Sequence, residues 1–503
     1  MSPCGSATAP DCGSPGTSAL VEEFALIRGR APSVLLVGNV ANNAFLIAHY
    51  LRQAGWEADV LCADFYHSMG CPEWEYSLFD ATLVDEFAPD WSRVINPRYT
   101  RPTWFVQAPY AVAVDMLNAW NTGDAAAPGL WDMVRNPVPN LHKWQPPLPT
   151  PQVHEPFADE TAPQRVFRLL KTPGQAPMRV RRRLAHYANA SVSRFRRVNT
   201  RVNMLANLMD SYDAVEAFGS EVAIAGLTGR PFIAFEHGTL RWALEGTTSV
   251  QRMTLRGYRA ASGVLISNGD SVATARSQRL PRVMPTIHPL VQPRPEVEAP
   301  ARDMAKDILL RARVNLGPVL LCPLRHDWKV KGTDLYIRAL PELKQRFHGK
   351  ITVLFTSWGA EIPSSLALIA SLGVEDIVRW IPPQGRQVLI QLMRESLAVL
   401  DQTALPHFGS TAPQALMCGV PVLSSYVPSS TSEICGTPAP ILSVFTPKDV
   451  VNRVTMLTNH DTRQQVIEQG LTWSRDWHSM ARLVSDQENA LAPLIRGGHH
   501  RRP

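Results

Sequence analysis

Short apolar runs that stop at a glycine or a small polar residue, each followed by a helical pattern, recur along this 503-residue chain and restrict its architecture more than any other feature. Ser33-Val34-Leu35-Leu36-Val37 ends at Gly38; Asn42 or Asn43 then caps a helix whose Ala44, Ile47, Ala48 and Leu51 share one face, and Gly55 closes it. Asp59 to Ala63 is the next strand. Strand, helix and strand with short links form a βαβ unit, and its strands are parallel because the crossover returns the chain to the same end of the sheet. The alternation resumes at Ala214–Phe218, Pro231–Phe235 and Val264–Ser267. A second series runs through Val319–Cys322, Ile351–Phe355, Ile377–Trp380 and Ala398–Leu400. Val291 to Ala301, with several prolines and charges, is the expected linker between them. The chain reads as α/β, with two tandem doubly wound domains and a cleft between them, as its length allows. Ser474 to Leu491 is expected to end the fold as one helix, with Trp477, Met480, Ala481 and Val484 on one face.

The second series closes on His407-Phe408-Gly409-Ser410-Thr411-Ala412-Pro413-Gln414-Ala415-Leu416-Met417-Cys418-Gly419-Val420-Pro421-Val422-Leu423, which reads as a loop, a short helix and a buried strand. Thr411 or Ser410 is placed to cap the helix, Pro413 is tolerated in its first turn, and Gly419 sits where a left-handed terminator belongs. A small-residue loop entering a helix leaves several N–H groups unpaired and pointing one way, a ready anion site, and nothing bulky at Gly409 or Ser410 keeps a phosphate out. An ordinary helix start in an α/β domain would carry the same residues.

Other loops offer further polar groups. The turn Gly38-Asn39-Val40-Ala41-Asn42-Asn43 lies at the carboxyl end of the first strand, where parallel sheets place ligands, but it is no G-x-G-x-x-G fingerprint, which disfavours a dinucleotide. Pro231–Phe235 delivers Glu236-His237-Gly238-Thr239-Leu240-Arg241 at its own carboxyl end. The crowded segment Asp64 to Tyr76 is either an acceptor-binding loop or one packed through Tyr66, Trp74 and Tyr76.

Charge is local. Eight arginines and no acidic residue fall between Arg179 and Arg201, and without them the net charge of +6 becomes −2. That segment reads as a basic amphipathic helix, suited to an anionic membrane surface or to acidic partners within the fold; no nucleic-acid module accompanies it. The stretch from about Asn121 to Gln164 is Pro-rich and reads as an excursion from the core. Met1 to Ser18, rich in Gly, Ser, Pro and Ala, reads as a disordered tail and lacks the pattern of a secretion signal. No apolar run is long enough to span a membrane. The seven scattered cysteines have no zinc spacing, which suits reduced thiols in a cytoplasmic protein.

Tandem Rossmann-like domains with a late Phe408-Gly409-x5-Ala415-x2-Cys418-Gly419-x-Pro421-Val422 segment resemble the GT-B-fold glycosyltransferases, and most closely their group 1, or family 4. The likeness runs from about Ser33 to Leu491. Composition sets a disordered tail at 1–20 and an insertion around 121–201, and the resemblance implies an N-terminal acceptor domain at 21–290 that carries this insertion and a donor domain at 302–473. It also implies a terminal helix at 474–495 crossing back to the first domain, with Trp473 and Trp477 as the residues that make the crossing. The resemblance assigns a nucleotide-sugar to the cleft. Arg325, at the end of Pro323-Leu324-Arg325, and Lys331 of Lys331-Gly332 are implied to hold its diphosphate together with the Gly409, Ser410 and Thr411 amides; Lys329 competes for the Lys331 role. Gly38 and Asn39 are implied to approach the donor from the other domain, and His237 to bond the sugar or assist proton transfer. The family's Glu-x7-Glu motif is replaced: its first Glu falls on Pro406 and its second on Gln414, which keeps one carbonyl acceptor for the ribose but loses the charge.

The resemblance thus implies a cytoplasmic glycosyltransferase of the retaining class, acting from a nucleoside-diphosphate-sugar on a hydroxyl acceptor, such as a glycan or lipid-linked acceptor in envelope polysaccharide synthesis. It implies no cofactor and, with no Asp-x-Asp motif at a strand end, no essential metal. The Arg179–Arg201 helix would dock it on the inner face of the plasma membrane. A non-catalytic GT-B scaffold subunit and a sugar-nucleotide epimerase are the alternatives; the epimerase needs acidic residues that the motif has lost.

Overall fold

The computed structural model describes residues 16–63, 67–86, 89–91, 99–125, 127–134, 199–312 and 317–496. The tail through residue 15, Asp64–Tyr66, most of the Pro-rich excursion, and the Arg179–Arg201 segment up to residue 198 lie outside the described residues.

Two sheets organise the molecule. The first contains β1 (Ser33–Val37), β2 (Glu57–Ala63), β3 (Phe105–Ala108), β4 (Ala214–Phe218), β5 (Ile233–Glu236), β6 (Gly263–Ile266) and β7 (Val283–Pro285), in the order β3-β2-β1-β4-β5-β6-β7. The second contains β8 (Val319–Cys322), β9 (Thr352–Thr356), β10 (Val378–Ile381), β11 (Ala398–Leu400), β12 (Val422–Ser424) and β13 (Leu442–Ser443), in the order β10-β9-β8-β11-β12-β13. Every pairing is parallel, for example Leu36 with Val60 and with Glu216, and Leu321 with Leu354 and with Val399. In each sheet the winding reverses between two central strands, β1 and β4 in one, β8 and β11 in the other. Loops leave such a point in opposite directions and open a crevice at the carboxyl ends of the strands.

The strands form where the apolar runs predict, and the Asn43–Gln53 helix buries Ala44, Ile47, Ala48 and Leu51 against the first sheet. β3, β7 and β13 are strands that the sequence did not single out. The expected linker is instead mostly helix. Pro295–Arg311 is helical, with Pro295 in the first turn, where its missing N–H costs nothing, and with Val297, Ala301 and Ala305 buried. That stripe packs on the Arg386–Arg394 helix of the second sheet's domain, so only 286–294 remains extended between the domains.

The terminal helix is likewise two helices, His460–Trp477 and Met480–Arg496, broken at His478-Ser479, where the Ser479 hydroxyl accepts from the Arg482 N–H. The second lies on the first sheet's domain: Asp486 accepts from the Thr286 hydroxyl at 3.0 Å, Glu488 accepts from the Trp56 indole at 2.9 Å, and Gln487 lies against Glu216 of β4. Trp473 and Trp477 stay with the second domain. Trp473 packs edge-on against Phe408, and a Cβ at Gly436 would strike the Trp477 ring. Among the described residues no helix is long and apolar enough to cross a membrane.

Candidate functional site

The two loops at the second sheet's switch point touch. Gly332, with φ +66°, starts the Thr333–Arg346 helix, and a Cβ there would lie 2.3 Å from Thr403 Oγ1 and 2.7 Å from the Ala404 nitrogen. Only glycine lets the loop after β8 close on the loop after β11. Lys331, held beside that contact, donates from Nζ to Gln402 Oε1 at 2.8 Å, while Lys329 is exposed. Burial pushes the Lys331 ammonium below its usual range, opposed by Asp401. Burial pushes the Asp401 carboxyl up, opposed by Lys331 and by the Gln402 and Ala412 main-chain N–H groups, and its Oδ2 has no partner among the described residues. Arg325 reaches Asp327 at 3.2 Å through Nη2 and leaves its Nε buried without an acceptor there.

The Thr411–Met417 helix faces the same crevice. Ser410 is its N-cap residue but makes no side-chain cap, so neither Ser410 nor Thr411 serves as the expected cap; the Ala412 N–H is directed to Asp401 instead. The space over Gly409 is open: a Cβ added there would have nothing within 4 Å. Gly419 has φ +73° and ends the helix as expected. Gln414 departs from its expected place at a ribose. It is buried, and its carboxamide accepts from the Val291 N–H at 3.2 Å and donates to the Val291 carbonyl at 3.1 Å. It is a clamp on the interdomain segment.

The first sheet supplies the opposite wall. Glu236, the last residue of β5, is buried and fully engaged: it accepts from the Gly238 N–H at 2.6 Å, the Leu240 N–H at 2.9 Å and the Tyr258 hydroxyl at 2.6 Å. Its carboxylate fixes the turn that presents His237. Both ring nitrogens of His237 are buried without a partner among the described residues, and burial lowers its pKa to about 4. At neutral pH the ring is uncharged and carries one N–H and one lone pair, neither of them engaged by the described residues. Arg241 grips Asp270 through two bonds, 2.8 and 2.6 Å, and donates across the cleft to His407 Nε2 at 3.1 Å.

His288, buried and held to about 3, is the residue that shows the convergence. Burial is the main cause, and the charges that add to it are those of His237, His407, Lys331 and Arg241, two from each domain. Nitrogens of His288, His407 and His478 are also buried without partners among the described residues. The structure therefore brings His237, Lys331 and Arg325 to one crevice, together with Arg241 from the turn after His237 and His407 beside Pro406, both legible as candidates in the sequence, and adds His288 and His478. Only the position of His288-Pro289, just after an apolar strand end, could have flagged the first of these.

Gly38 and Asn39 differ from expectation. A Cβ at Gly38 would lie 2.9 Å from Glu221 Cγ, so the glycine is needed for packing. Asn39 is buried and spent internally: it donates to Asn42 Oδ1 and to the Gly70 carbonyl, both at 2.9 Å, and accepts from the Phe45 N–H at 3.1 Å. Its side-chain amide is spent within the turn.

Two doubly wound sheets facing each other across a crevice define the GT-B class of fold. Solved structures agree over nearly the whole chain: a UDP-forming trehalose-phosphate synthase from Burkholderia xenovorans matches with a TM-score of 0.52, 11% identity and coverage of 92% of this chain and 99% of that one. A glycosyltransferase from Rickettsia africae matches with a TM-score of 0.51, 11% identity, and 92% and 99% coverage. Residues 315–472, about a third of the chain, match the family described as glycosyl transferases group 1. Among curated relatives, D-inositol 3-phosphate glycosyltransferase of Actinosynnema mirum is 36% identical over 106 residues, 20% of this chain and 25% of the relative. That of Streptomyces coelicolor is 28% identical over 188 residues, 33% and 41% of the two chains. The chain thus spans less than half the length of either.

Proposed function

We propose that this protein is a glycosyltransferase that moves a sugar from a nucleoside diphosphate donor to a hydroxyl acceptor. The observation that carries the reading is the gathering of cations and main-chain donors where the two domains meet: Arg325, whose Nε is buried without an acceptor among the described residues, Lys331, which gives one bond to Gln402, and the Thr411–Met417 helix start beside Gly409, which has no side-chain cap, facing His237 and Arg241. A diphosphate leaving group gains negative charge as the glycosidic bond breaks. Fixed donors in a water-poor crevice stabilise that charge more in the transition state than in the ground state, which is the condition for catalysis. The transferred sugar would pass through an oxocarbenium-like state, and His237, as a neutral ring, would offer its hydroxyls one N–H and one lone pair. We carry over retention of configuration, an envelope glycan or lipid-linked acceptor, and peripheral contact with the inner membrane face through Arg179–Arg201 as parts of the same proposal.

Thermal stabilisation by UDP- and GDP-sugars tests it, because a ligand that binds only the folded form raises the melting temperature. Arg325→Ala is expected to abolish that shift while the ligand-free melting temperature stays within a few degrees of wild type. A second reading, a GT-B scaffold that turns over nothing, is favoured by one observation: Gln414, at the position of the motif's second Glu, is locked onto Val291. Absence of stabilisation by any nucleoside diphosphate would select the scaffold.

A further inference from the structure

The turn after β1 is built from backbone that L-residues avoid. Ala41 and Asn42 are consecutive and both left-handed, with φ of +50° and +57°. Such a conformation persists only where its surroundings over-determine it. Here the surroundings are side chains. Asn42 is fully buried and donates from Nδ2 towards the Met69 carbonyl at 3.0 Å, the Cys71 carbonyl at 2.9 Å and Glu75 Oε1 at 3.1 Å; its own Oδ1 holds Asn39. Glu75 is buried on the Pro72–Tyr76 helix, and its other oxygen, Oε2, accepts from Arg386 Nε at 3.1 Å.

Arg386 belongs to the other domain. It opens the Arg386–Arg394 helix behind β10, and the contact around it is close. A Cβ at Gly385 would lie 2.8 Å from the Phe79 ring, Gln387 donates to the Glu75 carbonyl at 3.0 Å, and Arg294 donates to the Tyr76 carbonyl at 2.9 Å. One buried carboxylate therefore has an oxygen on each side of the interface. If the domains part, Glu75 keeps Asn42 and loses the cation bonded to it, and a buried carboxylate stripped of its counter-charge is costly. Arg101, the guanidinium bonded to the same short helix, is already committed to both oxygens of Glu73.

We infer that Glu75 and Arg386 are positioning residues that couple the approach of the two domains to the shape of the Gly38–Asn42 turn. The chain of contacts runs Arg386, Glu75, Asn42, Asn39, Phe45 N–H. The left-handed turn, and with it the floor of the first sheet's crevice, is held fully only while the C-terminal domain is docked. Its consequence for sugar transfer rests on the function proposed above; the coupling itself does not.

Hydrogen exchange of the full-length chain tests the coupling without any ligand. Arg386→Gln should speed exchange at least tenfold in peptides covering residues 38–45 and 68–76. Arg276→Gln removes a different interdomain pair, that with Glu433, and should leave those peptides unchanged. Glu75→Gln, which keeps a hydrogen bond to Asn42 but not the ion pair, should fall between the two. Equal exchange in the Arg386 and Arg276 variants, or no change in either, would overturn the inference. If Arg386→Gln fails to fold, Glu75→Gln, which removes the same ion pair from the other domain, takes its place in the comparison with Arg276→Gln. UDP affinity by titration calorimetry should stay within twofold of wild type in Arg386→Gln, while the rate of UDP-glucose hydrolysis falls at least tenfold at saturation. Failure of wild type to bind UDP would instead count against the proposed function and leave the exchange result standing.

Discussion

The two sheets have the same strand order around their centres but use their switch points differently. After β1, the first sheet's turn is filled from within: Asn39 and Asn42 are buried and their amides are saturated by Gly70, Met69, Cys71 and Glu75. After β8 and β11, the second sheet's loops hold Lys331, Arg325 and Asp401 with polar atoms unspent and the space over Gly409 open. A fold positions a crevice; the residues that line it determine whether a ligand has anything left to bind. In the first domain the unspent polar atoms lie further along the sheet, on His237 beyond β5, where Arg241 reaches across to His407.

The sharpest way to break this contrast is to remove a cation from the second switch point. Lys331→Met should lower transfer or donor hydrolysis by about 100- to 1000-fold, the range for losing one group that stabilises developing charge. The melting temperature without ligand should fall, because buried Asp401 loses its opposing cation and Gln402 Oε1 its donor, so turnover is compared per folded molecule. A loss of fold without a loss of turnover per folded molecule would show that Lys331 is structural, as Asn39 is.

Next in size is a carboxyl that no ligand reaches. Glu216, in the middle of β4, is buried against Gln487 of the terminal helix, and burial pushes its pKa from 4.5 up to about 8. The folded form therefore holds a proton that the unfolded chain gives up near pH 4.5. Its contribution is fully present below that pH, is lost progressively as the pH rises towards about 8, and does not change beyond it. Glu216→Gln should be neutral or mildly destabilising at pH 4.5 and more stable than wild type at pH 8, by on the order of a few kcal/mol in denaturant titrations. Parallel wild-type and variant profiles over that range would show that Glu216 stays ionised in the fold.

Asn39→Ala separates the two turns from the other side. It strands the Phe45 N–H and the Gly70 carbonyl and should cost about 2–3 kcal/mol of stability, with UDP affinity per folded molecule unchanged. The sequence placed this residue with the donor because position along a parallel strand is legible in the sequence and side-chain direction is not. The same limit explains the other differences. The strands other than β3, β7 and β13, the helix face of Ala44, Ile47, Ala48 and Leu51, and the left-handed Gly419 follow from local pattern. The Pro295–Arg311 helix did not, since its buried stripe of Val297, Ala301 and Ala305 is thin and two prolines mask it. Gln414 was assigned by likeness to a motif, and the Val291 main chain that takes its carboxamide lies 123 residues away. His288 and His407 gain meaning only from each other and from Lys331 and Arg241, groups that no spacing in the chain connects.

The smallest expected effect is at Gly409, and it is the cleanest. Its backbone is not left-handed, and a Cβ would meet nothing within 4 Å, so Gly409→Ala has no reason to alter the fold and should change stability by less than about 0.5 kcal/mol. If the amides beside it receive a phosphate, however, a methyl group stands in the approach to them, and UDP affinity should fall about three- to tenfold, which calorimetry resolves. Gly38→Ala is the matching change in the first sheet and should do the reverse: its Cβ strikes Glu221 and its φ of +90° disfavours any L-residue, so stability drops while UDP affinity is kept. Equal behaviour of the two glycines would mean that the switch points are not divided between packing and binding as their contacts indicate.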